Sequence, residues 1–280
     1  MILIIGGTGK VGGSVVEQLS AAGVKARGLA RDPSKVKLPN IEAVKGDNND
    51  LASVAAALQG IDKLFLLTPS LPGSVETNSG IIDAAKKAGV KHVVKLSVAG
   101  ADPNSPISIA KWHGASEAHL KASGLEWTLL RPGSFTQNFL NSAATIKKDG
   151  AFYNCTKDGK GTWIDARDIA AVAVKALTES GHEGQTYNLT GQEPMSNAEA
   201  AARIGKYLGK PVKYVDLPPE QFKQGMISAG LPEWMATDFA TWSGFTAQGY
   251  TGTADPTLTK LLSKVRNFDD FLATYGAAFK

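Results

Sequence analysis

The sequence predicts an α/β protein, a doubly wound parallel sheet with a smaller α+β lobe at its C-terminal end. Two observations carry that prediction. The apolar run Ile2-Leu3-Ile4-Ile5 leads straight into a glycine cluster, Gly6, Gly7, Gly9 and Gly12. Short apolar runs then alternate with helix-period segments as far as Arg131-Pro132-Gly133, which is the pattern of consecutive βαβ units.

In chain order, strands are expected at 2–5, 25–30, 41–45, 63–68, 92–97 and 126–131, with helices between them at 11–22, 50–58, 74–88 and 110–123. In the first helix Val15, Val16 and Leu19 share one face. Asn49 or Asp50 caps the second, and Gly89 stands where the third needs a glycine to end. Beyond Gly133 the alternation loosens. Ala151–Cys155 reads as a strand, 185–190 as another, and Ser196-x-x-Glu199 as a capping box opening a helix through Leu208. A strand over Val212–Leu217 follows, then a helix starting at Pro218-Pro219 and further helices over 232–247 and 266–278. There is no internal repeat and no low-complexity linker. We expect one domain over 1–280, its core formed by about 1–150 and 160–190. The substrate lobe would take about 191–280 with 132–159, and the cleft would lie between core and lobe.

Bulk properties narrow the function classes. With 280 residues, 43% of them hydrophobic, the chain can bury a sizeable core. No apolar run approaches the roughly 20 residues that cross a bilayer, and the short N-terminal run lacks the basic flank of a secretory signal. No membrane association is expected. One cysteine, Cys155, rules out an intrachain disulfide and a cysteine zinc cluster, so a reducing cytoplasm is the expected location. The formal charge of +4 is spread over scattered lysines and arginines, without the basic stripe that nucleic acid selects. Four histidines, at 92, 113, 119 and 182, have no metal-ligand spacing, and no metal is expected.

The glycine cluster carries the first chemistry. G-x-x-G-x-x-G from Gly6, with G-x-G-x-x-G (Gly7, Gly9, Gly12) nested inside it, follows a strand and opens a helix. Such glycines make the tight turn, let backbone approach a pyrophosphate, and let helix pack on strand. A dinucleotide is therefore expected. The second strand chooses which one. Asp32 lies twenty residues past Gly12, where an NAD site places its acid, but register favours Ala30-Arg31 at the strand end. A small residue leaves room for a 2′-phosphate and a guanidinium clamps it. Asp32 before Pro33 reads as a turn or cap residue. NADPH is the expected cofactor, with a surface arginine the competing reading of Arg31.

Several segments together resemble the NmrA-like branch of the atypical short-chain dehydrogenases, a Rossmann-type family. They are GGTGKVGG, Leu29-Ala30-Arg31-Asp32-Pro33, Gly46-Asp47, Lys91-His92-Val93-Val94, the run Gly124–Gly133, and Asp165-Ala166-Arg167-Asp168-Ile169-Ala170. Gly181-His182-Glu183-Gly184 before Tyr187-Asn188-Leu189, and Ala229-Gly230-Leu231-Pro232, are similar to its NADPH:quinone oxidoreductase and triphenylmethane reductase group. The resemblance implies backbone contacts to the pyrophosphate from Thr8, Gly9, Lys10 and Val11. It places Asp47 beside the adenine, where a turn cap is the competing reading. Thr68-Pro69 would pass under the nicotinamide ribose, and Ser97 would take the topological place of the usual catalytic serine.

One departure matters. Most short-chain dehydrogenases use a tyrosine as general acid and a lysine four residues later on the same helix. The matching helix here reads Lys111-Trp112-His113-Gly114-Ala115-Ser116-Glu117, with His113 and Glu117 at that spacing. The quinone and dye reductase group similarly lacks the pair. Tyr153 and Lys157 do have the spacing, but on a predicted strand they would stand roughly 13 Å apart, so the match is taken as accidental.

Without the tyrosine, reduction of simple ketones loses its proton donor. Hydride transfer to a quinone or a cationic dye does not need one; proximity and stacking suffice. Phe135, Phe139, Trp234 and Trp242 are the candidate stacking residues, core packing being the alternative for each. Phe135 with Asn138 one turn on is the first choice, and Trp234 the next. His113 is either a proton donor or a helix residue bonded to backbone. The expected function is a soluble, monomeric or homodimeric NADPH-dependent reductase of conjugated, electron-poor small molecules such as quinones, dyes, enals and imines. The alternative is a non-catalytic dinucleotide sensor that regulates a partner protein.

Overall fold

The structure, a computed structural model, describes all 280 residues. The chain runs β1 (Ile2–Ile5), α1 (Lys10–Ala21), β2 (Ala26–Ala30), β3 (Ile41–Lys45), α2 (Leu51–Ala57), β4 (Lys63–Leu66), α3 (Ser74–Lys87), β5 (His92–Leu96), α4 (Ser108–Ala122) and β6 (Glu126–Pro132). It continues through α5 (Ala143–Asp149), β7 (Ala151–Asn154), β8 (Lys160–Gly161), α6 (Ala166–Thr178) and β9 (Gln185–Leu189). The last part holds β10 (Met195–Ser196), α7 (Asn197–Leu208), β11 (Lys213–Asp216), α8 (Pro219–Ser228), α9 (Glu233–Ala247), α10 (Thr257–Leu261) and α11 (Phe268–Tyr275). It divides into two compact units, Met1–Pro132 with Ala166–Leu189, and Gly133–Asp165 with Thr190–Lys280.

The first unit is a parallel sheet in the order β3-β2-β1-β4-β5-β6-β9. Order reverses between β1 and β4, and a doubly wound sheet opens its ligand crevice at the carboxyl ends of such a pair. The central strands β1 and β5 are buried along their whole length because helices cover both faces. One apolar cluster joins Leu3, Ile5, Leu64, Leu66, Val93 and Leu129 to Ile81, Ile82 and Leu120. At about 1.5–3 kcal/mol per buried aliphatic side chain, this layer holds the strand ends in place.

Local signals act as expected. Asp50 caps α2 by accepting from Ala52 N, and Ser196 with Glu199 forms the capping box of α7. Asp32 caps the 3-10 turn Pro33–Val36 by accepting from Ser34 N. The helix α6 goes beyond the sequence reading, which places 160–190 in the core without a helix there. Ile169, Ala170, Val172, Ala173, Ala176 and Leu177 are all buried, and the helix packs beside α1, where Gln18 Nε2 donates to Arg167 O at 2.9 Å. The helix expected over 266–278 is two pieces, α11 opened by an Asn267–Asp270 capping box and a 3-10 turn over Gly276–Phe279.

The second unit has two small sheets, β7 parallel to β11 and β8 antiparallel to β10. Its core gathers Phe139, Phe152, Ile204, Phe268, Phe271 and Phe279, and Phe139 meets Phe152, Trp163 and Phe268 edge to face. No helix is long and apolar enough to cross a membrane, and no group of three or more His, Cys, Asp or Glu is placed to hold a metal ion.

Candidate active site

The glycine loop begins where β1 ends. Gly6 has φ +87°, and a Cβ added to it would lie 2.5 Å from the Leu67 carbonyl oxygen just past β4. The loop therefore lies directly against the end of β4, at the strand pair where the order reverses. At Gly12 an added Cβ would fall 2.1 Å from Gly6 O, so helix and loop approach as they do only because the residue is glycine. Gly9 caps α1 with backbone alone, and no acidic residue occupies the first turn. The opening N–H groups of a helix have no acceptor within it, and the helix dipole makes this end positive. Thr8, Gly9 and Lys10 are exposed, while Gly7, Val11 and Gly12 are buried as support. The residues present fit a bound pyrophosphate: a helix start without a side-chain cap, the positive end of its dipole and a glycine lip.

Around the loop, Ala30 is buried at the end of β2 and Arg31 after it is exposed. The Asp32 carboxylate is committed to Ser34, accepting from both its N–H and its hydroxyl, so it acts as a cap. Asp47, two residues past β3, accepts from Asn49 N at 3.0 Å, which is the turn-cap geometry. Thr68 is buried beyond β4 and accepts from Asn78 Nδ2 at 2.9 Å, with Pro69 exposed beside it.

The most concentrated chemistry lies between β4, β5, β6 and α4, in two adjoining groups. In the first, Ser97 Oγ donates to Glu117 Oε1 at 2.5 Å, and Arg131 grips the same carboxylate with two donors, Nε at 2.9 Å and its second terminal nitrogen. Glu117 is 2% exposed. The Arg131 guanidinium is held above its ordinary range by that carboxylate. The one hydroxyl proton of Ser97 is committed to Glu117, leaving Ser97 only its lone pairs for anything else.

In the second group, Lys95 points from the middle of β5 into the interior, 1% exposed. Its Nζ donates to Leu96 O at 3.0 Å and to His113 Nδ1 at 3.1 Å. His113 Nε2 stands 2.9 Å from Ser70 Oγ. An ammonium is a donor only, so Nδ1 must be the bare nitrogen and Nε2 carries the hydrogen given to Ser70. Burial lowers the Lys95 pKa to about 8, with Glu117 opposing the shift. Burial and the Lys95 charge together hold His113 well below the usual imidazole range. His113 is thus a neutral Nε2–H imidazole bonded to side chains, not to backbone. Gly114 beside it lets the loop at Asp102-Pro103 press close, since an added Cβ would lie 2.3 Å from Asp102 C.

In the second unit, Phe135 is half-buried and pairs through an isolated bridge with Ile164, flanked by Thr136 N to Ile164 O and Ile164 N to Ser134 O, both 2.9 Å. Asn138 is exposed three residues on, in the 3-10 helix Thr136–Ser142. Trp234 is half-buried in the first turn of α9, and Trp242 donates its indole N–H to Ser134 Oγ at 3.1 Å. Phe139 packs in this unit's core, as its core-packing alternative had it. Tyr153 lies on β7 and Lys157 beyond it in a left-handed turn, φ 50°, so the Tyr-x-x-x-Lys match forms no helical pair.

The sequence profile of the NmrA-like family matches residues 1–272. The chain belongs to that family. It is 41% identical to an NAD(P)H azoreductase of Xenophilus azovorans, over 100% of this chain and 99% of that one. The NADPH-dependent quinone oxidoreductase of Escherichia coli, solved with NADPH, superposes at TM-score 0.87 with 32% identity, over 98% of this chain and 99% of that one. The triphenylmethane reductase of Citrobacter sp., solved with NADP(H), gives TM-score 0.86 and 26% identity over the same shares of the two chains.

Among the site's residues the sequence reading missed Lys95 and Ser70, and noted Arg131 and Glu117 without pairing them. A signal for Lys95 was present. A lysine inside the apolar run His92-Val-Val-Lys-Leu, on a strand of a parallel sheet covered on both faces, has nowhere to go but the interior. Ser70 carried no such signal, because only the path of the loop after β4 brings it to α4.

Proposed function

We propose that this protein is an NADPH-dependent reductase that passes hydride to conjugated, electron-poor small molecules, namely quinones, triphenylmethane dyes and azo dyes. The oxidoreductase class and the nicotinamide cofactor rest on the full-length relatives described above. The observation that carries the acceptor class is the state of α4. Where a proton-donating tyrosine and its lysine would stand, it presents a neutral His113 and an arginine-bound Glu117. No phenol is there to protonate a ketone oxygen.

When bound, the cofactor supplies hydride. The chain's own share is to hold and to exclude. Gly6, Gly7, Thr8, Gly9, Lys10, Val11 and Gly12 seat the pyrophosphate, and Arg31 takes the 2′-phosphate at the buried Ala30. Asp47 flanks the adenine with whatever acceptor capacity Asn49 leaves it. Thr68, Pro69 and Ser97 line the nicotinamide end, Ser97 as an acceptor only. Phe135, Asn138 and Trp234 receive the acceptor, flat aromatic faces matching flat conjugated substrates. Orientation of this kind supplies on the order of several kcal/mol without covalent help.

The test is to follow NADPH absorbance with a panel of quinones, triphenylmethane dyes, azo dyes, enals and imines. Turnover of the conjugated acceptors and none of a simple ketone is the expected result. Tight NADPH binding with no turnover of any acceptor would refute the reading and leave a dinucleotide-binding regulator.

A further inference from the structure

A neutral imidazole can give up its Nε2 proton only if Nδ1 gains one in the same event. The structure supplies the donor for that exchange. Lys95 Nζ lies 3.1 Å from Nδ1, and Nε2 lies 2.9 Å from Ser70 Oγ, so three groups form one unbroken line from the interior of β5 to the half-exposed loop after β4. Every link has a defined polarity. Lys95 donates to His113, His113 donates to Ser70, and the Ser70 hydroxyl hydrogen remains uncommitted. The neighbouring Ser97–Glu117–Arg131 group is closed on itself, because its single mobile proton already bridges Ser97 to Glu117.

We propose that Lys95, His113 and Ser70 form a proton relay that protonates the acceptor only after hydride has arrived. A serine hydroxyl is too weak an acid to polarise a simple ketone beforehand as the absent tyrosine would, so the relay completes reduction of acceptors that take hydride unaided. The inference rests on the reductase reading above. In one cycle, two electrons and a proton reach the acceptor together as hydride from the reduced nicotinamide, leaving an anion on its far atom. The Ser70 Oγ–H bond breaks and its proton goes to that anion. Ser70 Oγ takes the Nε2 proton of His113, and Nδ1 takes a proton from Lys95. The balance is a neutral Lys95 amine, a His113 with its hydrogen on Nδ1, and an intact Ser70 hydroxyl. Solvent entering after product leaves reverses the line and recharges Lys95. The depressed Lys95 pKa suits a group that must release a proton near neutrality.

The relay selects among acceptors. A cationic triphenylmethane dye is neutralised by hydride and needs no proton. An azo bond is left as a strongly basic nitrogen anion and needs one at once. The variants Lys95→Met and Ser70→Ala therefore separate the two. Expected are losses on the order of 100-fold in kcat for a neutral azo dye, the scale of general acid catalysis, with the cationic dye changed less than twofold. NADPH affinity, read by fluorescence titration, should hold in both variants. Ser70→Ala removes a half-exposed hydroxyl and guards against a Lys95 variant that fails to fold. In the apo protein, nitrogen-15 NMR should show His113 as the Nε2–H tautomer and show it losing that fixed state in Lys95→Met. Equal losses on both dyes, no loss on the azo dye, or a His113 hydrogen on Nδ1 would overturn the relay while leaving the reductase reading intact. A wild-type protein that reduces neither dye nor quinone would overturn the reductase reading, and the relay with it.

Discussion

Lys95 holds a charge in the interior, and that has a cost in stability which can be read against pH. Burial lowers its pKa from 10.5 to about 8. The unfolded chain keeps its proton up to 10.5, so between those two values the unfolded state binds more protons and stability rises with pH. Below pH 8 the full cost is present, about 3 kcal/mol, since each tenfold change in proton affinity is worth roughly 1.4 kcal/mol. By pH 10 most of it is relieved and about 1 kcal/mol remains. Lys95→Met deletes the titrating group while filling the same space. Losing the donor to His113 Nδ1 and Leu96 O costs a constant amount at both pH values, because His113 is neutral across this range. The stability difference between wild type and variant should therefore shift by about 2 kcal/mol in favour of wild type between pH 7 and pH 10. Urea unfolding followed by tryptophan fluorescence measures it, as a relative displacement of the midpoints by about 1 M. Parallel stability–pH curves would show that Lys95 titrates normally, and the burial argument would be wrong.

Other outcomes are as definite. Arg31→Ala should cut the preference for NADPH over NADH by about 10- to 100-fold, the worth of a charge-assisted phosphate contact, with NADH affinity unchanged; an unchanged preference in paired titrations would remove Arg31 from the cofactor site. Glu117→Gln leaves the Arg131 guanidinium without its countercharge and should cost about 3 kcal/mol, at the low end for a buried pair because Arg131 is 24% exposed; a loss below about 1 kcal/mol in denaturant melts would contradict a buried, paired carboxylate. His92 is 1% exposed and donates from Nε2 to Thr128 Oγ1, whose own proton goes to His182 O, so its Nδ1 is a buried lone pair without a partner. Burial, with the Lys63 charge adding to it, lowers its pKa to about 4. Stability should be full above 6.5 and fall as pH drops towards 4, by about 2 kcal/mol at pH 5, and His92→Gln should lack that portion of the slope; identical acid profiles for variant and wild type would refute it.

Much of the first unit was legible because its signals are local. A strand buried on both faces must be apolar, a helix packed tightly against the turn before it needs glycine there, and Asp, Asn or Ser supplies the side-chain caps that are present. The runs at Ile2–Ile5 and the glycines at 6, 7, 9 and 12 state these demands in consecutive residues. The second unit was less legible. Its strands are two to four residues long and pair across long separations, β7 with β11 and β8 with β10, so no window of sequence contains both partners. The helix α6 has an apolar stripe, but it belongs to the first unit and follows the whole excursion Gly133–Asp165, so the strand–helix alternation of the first 132 residues does not announce it.

By itself the sequence determined the fold class, the glycine turn that follows β1, the small residue that ends β2 with an arginine after it, and the lack of a tyrosine–lysine pair on α4. Each is a property of neighbouring residues and survives being read along a line. What only the tertiary structure decided is the wiring behind that lack. Lys95 on β5, His113 on α4 and Ser70 after β4 are separated by 18 and 43 positions, and Glu117 reaches both Ser97 and Arg131 from another element. Which nitrogen of His113 carries its hydrogen, and whether Ser97 has a proton to offer, depend on those partners. Proton positions follow from distances and directions between elements, and a parallel sheet sets these only when its crossovers close.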